Sequence, residues 1–161
     1  MTANTGRTVD KGVTFLVDDS GGTLREIPVD SVNGVGLTYD EFDLTAFQDA
    51  VKGVLLGHPD ATITITGPFD NSAAASPPTL SGSYTVLSGI VGLQTTPLAL
   101  DIRIGIRHAW EAGEPCFGIT GTAANGFYCS DFQYTGGGKY SAKFRVASGS
   151  AAPAWATTAH T

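Results

Sequence analysis

Few residues in this chain have the types that could do chemistry. Three histidines (His58, His108, His160), two cysteines (Cys116, Cys129) and an acidic cluster (Asp40, Glu41, Asp43) could bind a metal, move a proton or supply a nucleophile. A metal site or catalytic triad needs such groups to converge. The histidines fall in a turn, at a strand end and at the terminus, which reads as exposed or structural. The cysteine spacing fits neither a zinc knuckle nor a Cys-x-x-Cys redox pair, so each cysteine reads as a small, half-buried packing residue. If the two flank a hairpin, a cross-strand disulfide is open to them, although a reducing cytoplasm counts against it. Gly57-His58-Pro59-Asp60 and Gly136-Gly137-Gly138 have the glycine content of phosphate loops, but neither opens a helix or is followed by Lys-Ser/Thr, so both read as turns. The acidic cluster lacks an Asp-x-Asp-x-Asp-Gly loop and reads as a solvated face. The expectation is no catalytic residue, no metal, no cofactor and no enzymatic activity.

Composition points to a β-rich domain. A chain of 161 residues fits one domain with a real core. Its 21 glycines, frequent Ser and Thr, and lack of long Leu, Glu and Lys runs argue for a mostly-β fold. Fifteen acidic against nine basic residues give a net charge of −6, and no stretch concentrates Lys and Arg, which disfavours tight DNA binding. No apolar run approaches the roughly 20 residues that span a bilayer, and the first residues lack the apolar core of a signal peptide, so no membrane partner is expected.

The elements that would position any site are strands. Val13, Phe15 and Val17 alternate with Thr14 and Leu16, then Asp18 to Gly22 supplies turn chemistry and Leu24 to Ile27 returns. Pro28 confines that return to an edge or a bulge. Val32 to Phe42 reads as a further strand interrupted by Gly34 and Gly36, and Ile63 and Ile65 alternate with threonines. Thr79 or Ser81 could cap one short helix with Leu80, Tyr84, Leu87 and Val91 on its apolar stripe. Leu98 to Ile106 alternates most strongly, with one face aliphatic and the other, carrying Asp101, expected to be wet or to meet a partner. Phe117 to Thr120, Phe127 to Tyr134 and Tyr140 to Ala147 complete the strands, with Asn125-Gly126 as a hairpin signal. Residues 1–12 read as an N-terminal arm, 13–147 as a single domain and 148–161 as a C-terminal tail, unless Trp155 anchors that tail on a neighbour.

Between the strands near Tyr39 and Ile63 lies a long segment, 44–60, too apolar for disorder. Phe47, Val51, Val54, Leu55 and Leu56 would gain little by staying in water, so the parent domain or a neighbouring subunit must cover them. Here a resemblance enters. Asp43-Leu44-Thr45-Ala46-Phe47, the turn Gly57-His58-Pro59-Asp60 and the strand Ile63-Thr64-Ile65-Thr66-Gly67-Pro68-Phe69-Asp70 resemble the major tail (tail tube) proteins of long-tailed, siphovirus-type bacteriophages. Leu44 and Ala46 replace the commoner Val and Thr, Gln48 stands where Gly is frequent, and His58 and Pro59 alter the turn. The order of elements from Val13 to Val146 is similar too.

The resemblance implies a β-sandwich or partly closed barrel with one short helix packed on its side. It also implies a virion structural protein, assembled in the host cytoplasm into stacked homo-hexameric rings that form the tail tube. Partners would then be further copies of the chain, with tape measure, tail terminator and tail-tip proteins, while DNA passes through the lumen without specific binding. Asp40, Glu41, Asp43 and Asp101 become candidates for an acidic lumen that repels phosphate. Phe47, Val51, Val54, Leu55, Leu56 and Trp155 become candidates for contacts between subunits or rings, and the two termini for segments that order on assembly. The alternative is a head-decoration protein or another β-sandwich binding module of the virion.

Overall fold

The computed structural model describes residues 6–7, 12–106, 108–122 and 124–161. Most of the expected arm, and Arg107 after the alternating strand, lie outside the described residues. The first half of the chain forms β1 (Val13–Asp18), β2 (Leu24–Ile27), β3 (Ser31–Asn33), β4 (Thr38–Asp43), β5 (Val54–Asp60) and β6 (Thr62–Pro68). There follow α1 (Ser83–Ile90), β7 (Leu100–Ile104), β8 (Cys116–Ile119), β9 (Phe127–Gly136), β10 (Lys139–Val146) and β11 (Ala154–Ala156).

The strands make an antiparallel sandwich, mostly β as composition required. One sheet has the order β11-β8-β7-β1-β2, the other β3-β6-β10-β9, and among the described residues β4 pairs only with β5. No closed barrel forms among the described residues. Period-two alternation explains the core. Phe15, Val17, Leu100, Ile102 and Phe117 point inward from one sheet to meet Ile63, Ile65, Tyr140, Ala142 and Phe144 from the other. Phe15 and Phe144 touch across the layers with ring centroids 5.3 Å apart. In β6 the isoleucines are buried and the threonines half-buried, as the alternation predicts. The Tyr140 hydroxyl donates to the Pro28 carbonyl at 2.7 Å, which ties β10 to the chain beyond β2.

Turn chemistry sets the hairpins. The Asp18 and Asp19 carboxylates accept the N–H groups of Gly22 and Gly21 between β1 and β2. Gly137 and Gly138, at φ 65° and 74°, form the tight turn between β9 and β10 that twisted strands favour. Asn125-Gly126 is no such hairpin, because β8 and β9 belong to different sheets and the chain crosses between layers there. That separation also leaves Cys116 and Cys129 both buried and free, with no disulfide between them.

The helix departs from its expected stripe. Ser83, Val86, Leu87 and Ile90 are its buried residues, whereas Leu80, Tyr84 and Val91 are exposed. It starts at Gly82 without a side-chain cap. A Cβ at Gly82 would lie 2.4 Å from the Ser72 carbonyl oxygen, so the linker crossing there excludes a capping serine or threonine. Ser81 instead holds that linker, accepting the Ala75 N–H at 2.9 Å. The expected strand Val32 to Phe42 is likewise two, β3 in a sandwich sheet and β4 in the separate hairpin.

Candidate assembly surface and a buried side-chain cluster

The hairpin of β4 and β5 stands apart from both sheets. Its register runs Thr38↔Asp60, Glu41↔Leu56, Phe42↔Leu55 and Asp43↔Val54, with an irregularity between Tyr39 and Glu41. Every residue of β4 is exposed, and so is every residue of β5 except half-buried Gly57. The expected loop of 44–60 therefore shortens to 44–53, because Val54–Asp60 pairs as a strand. The tip is ordered by its own polar groups. Leu44 N–H donates to the Gly53 carbonyl at 2.9 Å, Gly53 N–H to Thr45 Oγ1 at 2.7 Å, and Ala46 N–H to Asp49 Oδ2 at 2.8 Å. At the root, Arg145 on β10 meets Asp60 at 3.2 Å.

With the tip's polar groups satisfied locally, its apolar side chains are left in water. Phe47 is 108% exposed, Val51 79% and Leu55 55%, and Phe42, Leu44, Val54 and Leu56 are exposed beside them. Val54, Leu55 and Leu56 are successive on β5 and so alternate between its two faces, which leaves apolar side chains exposed on both sides of the hairpin. The acidic candidates Asp40, Glu41 and Asp43 lie on the same hairpin and are exposed. The Thr45 hydroxyl, followed by its N–H, holds the Asp43 carboxyl below its usual range.

Asp101 does not belong with them. Expected on a wet face, it is 0% exposed, because the C-terminal segment crosses the outer side of the first sheet and covers it. The segment read as a tail is thus a strap. Ala154, Trp155 and Ala156 pair with Gly118, Phe117 and Cys116, the Thr157 carbonyl accepts Gly113 N–H, and the Thr161 carbonyl accepts Gly121 N–H. Trp155 packs at a tilt of 55° against Phe117 of its own chain, with ring centroids 5.1 Å apart, and keeps half its surface exposed.

Under the strap three groups converge that the sequence reading kept apart. Asp101 on β7 and Cys116 on β8 share the outer face, since Asp101 lies opposite Gly118 and Arg103 opposite Cys116. His160 reaches down from the strap, its Nδ1 2.9 Å from Asp101 Oδ1 and 3.9 Å from Cys116 Sγ. The second carboxylate oxygen, Oδ2, accepts Arg103 Nε–H at 2.9 Å and the His160 backbone N–H at 3.3 Å. The Arg103 guanidinium lies 5.1 Å from the centre of the Trp110 ring. The Cys116 thiol donates toward the Thr158 and Ala156 carbonyls at 3.2 and 3.5 Å. Burial, then the nearby Asp101 carboxylate, pushes that thiol up to about 11. This is no Cys-His-Asp relay, because aspartate and thiol face the same ring nitrogen and the thiol is held away from its nucleophilic form. The one usable sequence signal was alternation, which placed Asp101 opposite Ile102; nothing pointed to a partner 59 residues away.

His58 stays on the exposed hairpin, away from this cluster. A concavity of about 350 Å³ is lined by Val13 and residues 29–33 and is open to solvent. Asp30, which lines it, is ion-paired to Lys139. No described helix is long and apolar enough to cross a membrane.

No family model matches the chain, and no curated protein does. Solved structures do. The chain is similar to the anti-feeding prophage cap, a tube terminating cap, at TM-score 0.56 and 12% identity over 98% of this chain and 96% of that one. It is similar to the sheath/tube terminator of the extracellular contractile injection system PVC in the extended state, at TM-score 0.53 and 10% identity over 88% and 92%. A third likeness is to a chain of the PVC sheath-tube complex in the extended state, at 0.52 and 12% over 94% and 93%. The fold is that of tail-tube-related structures.

Proposed function

We propose that the chain is a structural, non-enzymatic subunit of a phage-tail-like tube, and that copies of it close into hexameric rings that stack as a major tail protein does. The observation that carries this reading is the β4–β5 hairpin, an ordered element whose apolar side chains have no cover in the single chain. In the tube each hairpin lies on an adjacent subunit, with Phe47, Val51 and Leu55 buried there and Val54 and Leu56, which the register sets opposite Asp43 and Glu41, at the rim of that contact toward the lumen. Residues 13–147, closed by the strap, are the domain that carries it. Asp40, Glu41 and Asp43 are the remaining lumen candidates, where their charge keeps a passing DNA backbone from adhering. Tape measure, terminator and tip proteins are the partners this role brings, and the particle's tail, assembled in the host cytoplasm, is its location.

A terminator or cap ring is the second reading, favoured by the likeness to the anti-feeding prophage cap across nearly the whole of both chains. Sedimentation of the purified chain separates the two: a tube former gives a length distribution that grows with concentration, a terminator a single closed ring. Leu55→Asp is expected to leave the monomer folded by circular dichroism and to abolish assembly in either case. Undiminished assembly of that variant at the parental concentration would remove the hairpin from the interface.

A further inference from the structure

We infer that Asp101, Cys116 and His160 form a binding site for one divalent cation of the zinc class, which clips the C-terminal strap onto the outer face of the first sheet. The three donor atoms, a carboxylate oxygen, a thiol sulfur and an imidazole nitrogen, all lie within 4.8 Å of one another, and two of the three residues are buried. That set of oxygen, sulfur and nitrogen donors suits zinc and its borderline neighbours rather than calcium or magnesium, which take oxygen.

Two of the three spacings need small adjustments, and the third, from Asp101 to Cys116, lies within 4.8 Å. A tetrahedral zinc with bonds of about 2.0 Å to nitrogen and oxygen and 2.3 Å to sulfur sets its donors roughly 3.2–3.6 Å apart. The Cys116–His160 separation of 3.9 Å must close by a few tenths of an ångström, and the Asp101–His160 separation of 2.9 Å must open by a similar amount. Rotation of the His160 imidazole about its side-chain bonds can supply that movement.

The surroundings are arranged as outer partners of a metal site. Arg103 and the His160 backbone N–H both occupy Oδ2 of Asp101, which leaves Oδ1 toward the convergence point. Fixing one carboxylate oxygen while the other faces the ion is how such partners orient a ligand. The Thr158 carbonyl, already 3.2 Å from the sulfur, or a water completes the fourth position.

Charge balances as well. On binding, the thiol proton leaves to solvent and the imidazole proton resides on Nε2, so that Nδ1 offers its lone pair. The cation's two positive charges then meet the Asp101 carboxylate and the Cys116 thiolate, while Arg103 keeps its hydrogen bond to Asp101 Oδ2. The apo state keeps the hydrogen bonds now present, which gives the strap two closed forms of different strength.

The test uses the full chain, freed of metal with a chelator and returned to chelator-free buffer, with cobalt(II) as the probe. One equivalent is expected to give a thiolate-to-cobalt charge-transfer band and the intense visible bands of a four-coordinate ion, both removed by added zinc. Cys116→Ser is expected to lose the charge-transfer band and Cys129→Ser to keep it. His160→Ala, altered only at the strap, should lose the four-coordinate signature even if Cys116→Ser fails to fold. No band from the wild-type chain in excess cobalt, or a band that survives Cys116→Ser, overturns the site. The readout is independent of ring formation, so it stands or falls apart from the proposed function.

Discussion

Replacing Asp101 with alanine is expected to loosen the strap and cost about 2–4 kcal/mol, although the residue alternates with an aliphatic face and would pass for a surface carboxylate. The carboxylate is fully buried and accepts from Arg103 Nε at 2.9 Å and the His160 backbone at 3.3 Å, with the His160 ring 2.9 Å from its other oxygen. Hydrogen bonds to a charged group contribute roughly 1.5–3 kcal/mol, and removing one member of a buried ion pair costs about 3–5 kcal/mol. The lower part of that range applies, because the Arg103 side chain is 23% exposed and can recover water over Trp110. For a chain of this length, each kcal/mol lowers the melting temperature by about 2–4 °C. Urea unfolding of wild type, Asp101→Ala, His160→Ala and the double variant, all in chelator, measures the cost and the coupling. The pair should couple by about 1 kcal/mol or more. A loss below about 0.5 kcal/mol for Asp101→Ala, the range of ordinary surface substitutions, would mean that the carboxylate is solvated and the strap absent.

Ile102→Asp places a carboxylate between the two sheets and should abolish soluble monomer, which an expression and solubility assay reads directly. Tyr140→Phe leaves the Pro28 carbonyl without its 2.7 Å donor and should cost about 1–2 kcal/mol in urea unfolding, with no change of secondary structure. Lys139 first, then the Thr66 hydroxyl, holds the Asp30 carboxyl below its usual range, so between its unfolded and folded pKa values the folded state binds fewer protons. Stability from this pair is present above the ordinary aspartate range and is lost as pH falls through the folded value; Lys139→Met should flatten that acid limb in melting curves taken across it.

The parts of the fold legible from sequence are those where one residue in two faces the core. Ile63 and Ile65, Leu100 and Ile102, and Tyr140, Ala142 and Phe144 declared their strands because hydrophobic burial acts on alternate positions of a pleated chain. The Gly137-Gly138 turn was legible because positive φ selects glycine. Asn125-Gly126 misled because a turn signal says nothing about whether the flanking strands share a sheet. The apolar residues of 44–60 stood out as needing cover, from the parent domain or from a neighbour, but nothing local told which, nor that Val54–Asp60 pairs with β4 rather than continuing a loop. Asp101 was misplaced for a different reason. Alternation separates two faces of a strand without telling whether a later segment covers the outer one, and only Ala154–Ala156 docking on β8 decides that. His160 reached Asp101 and Cys116 by the same tertiary step, with no local pattern to announce it.

Electron microscopy of the purified chain tests the central claim most directly. Concentrated protein at near-physiological salt should show six-fold rings or hollow cylinders built from them, with the β4–β5 hairpin of each subunit buried on its neighbour. A monomer that stays monodisperse at every concentration, its hairpin still in solvent, would contradict the account.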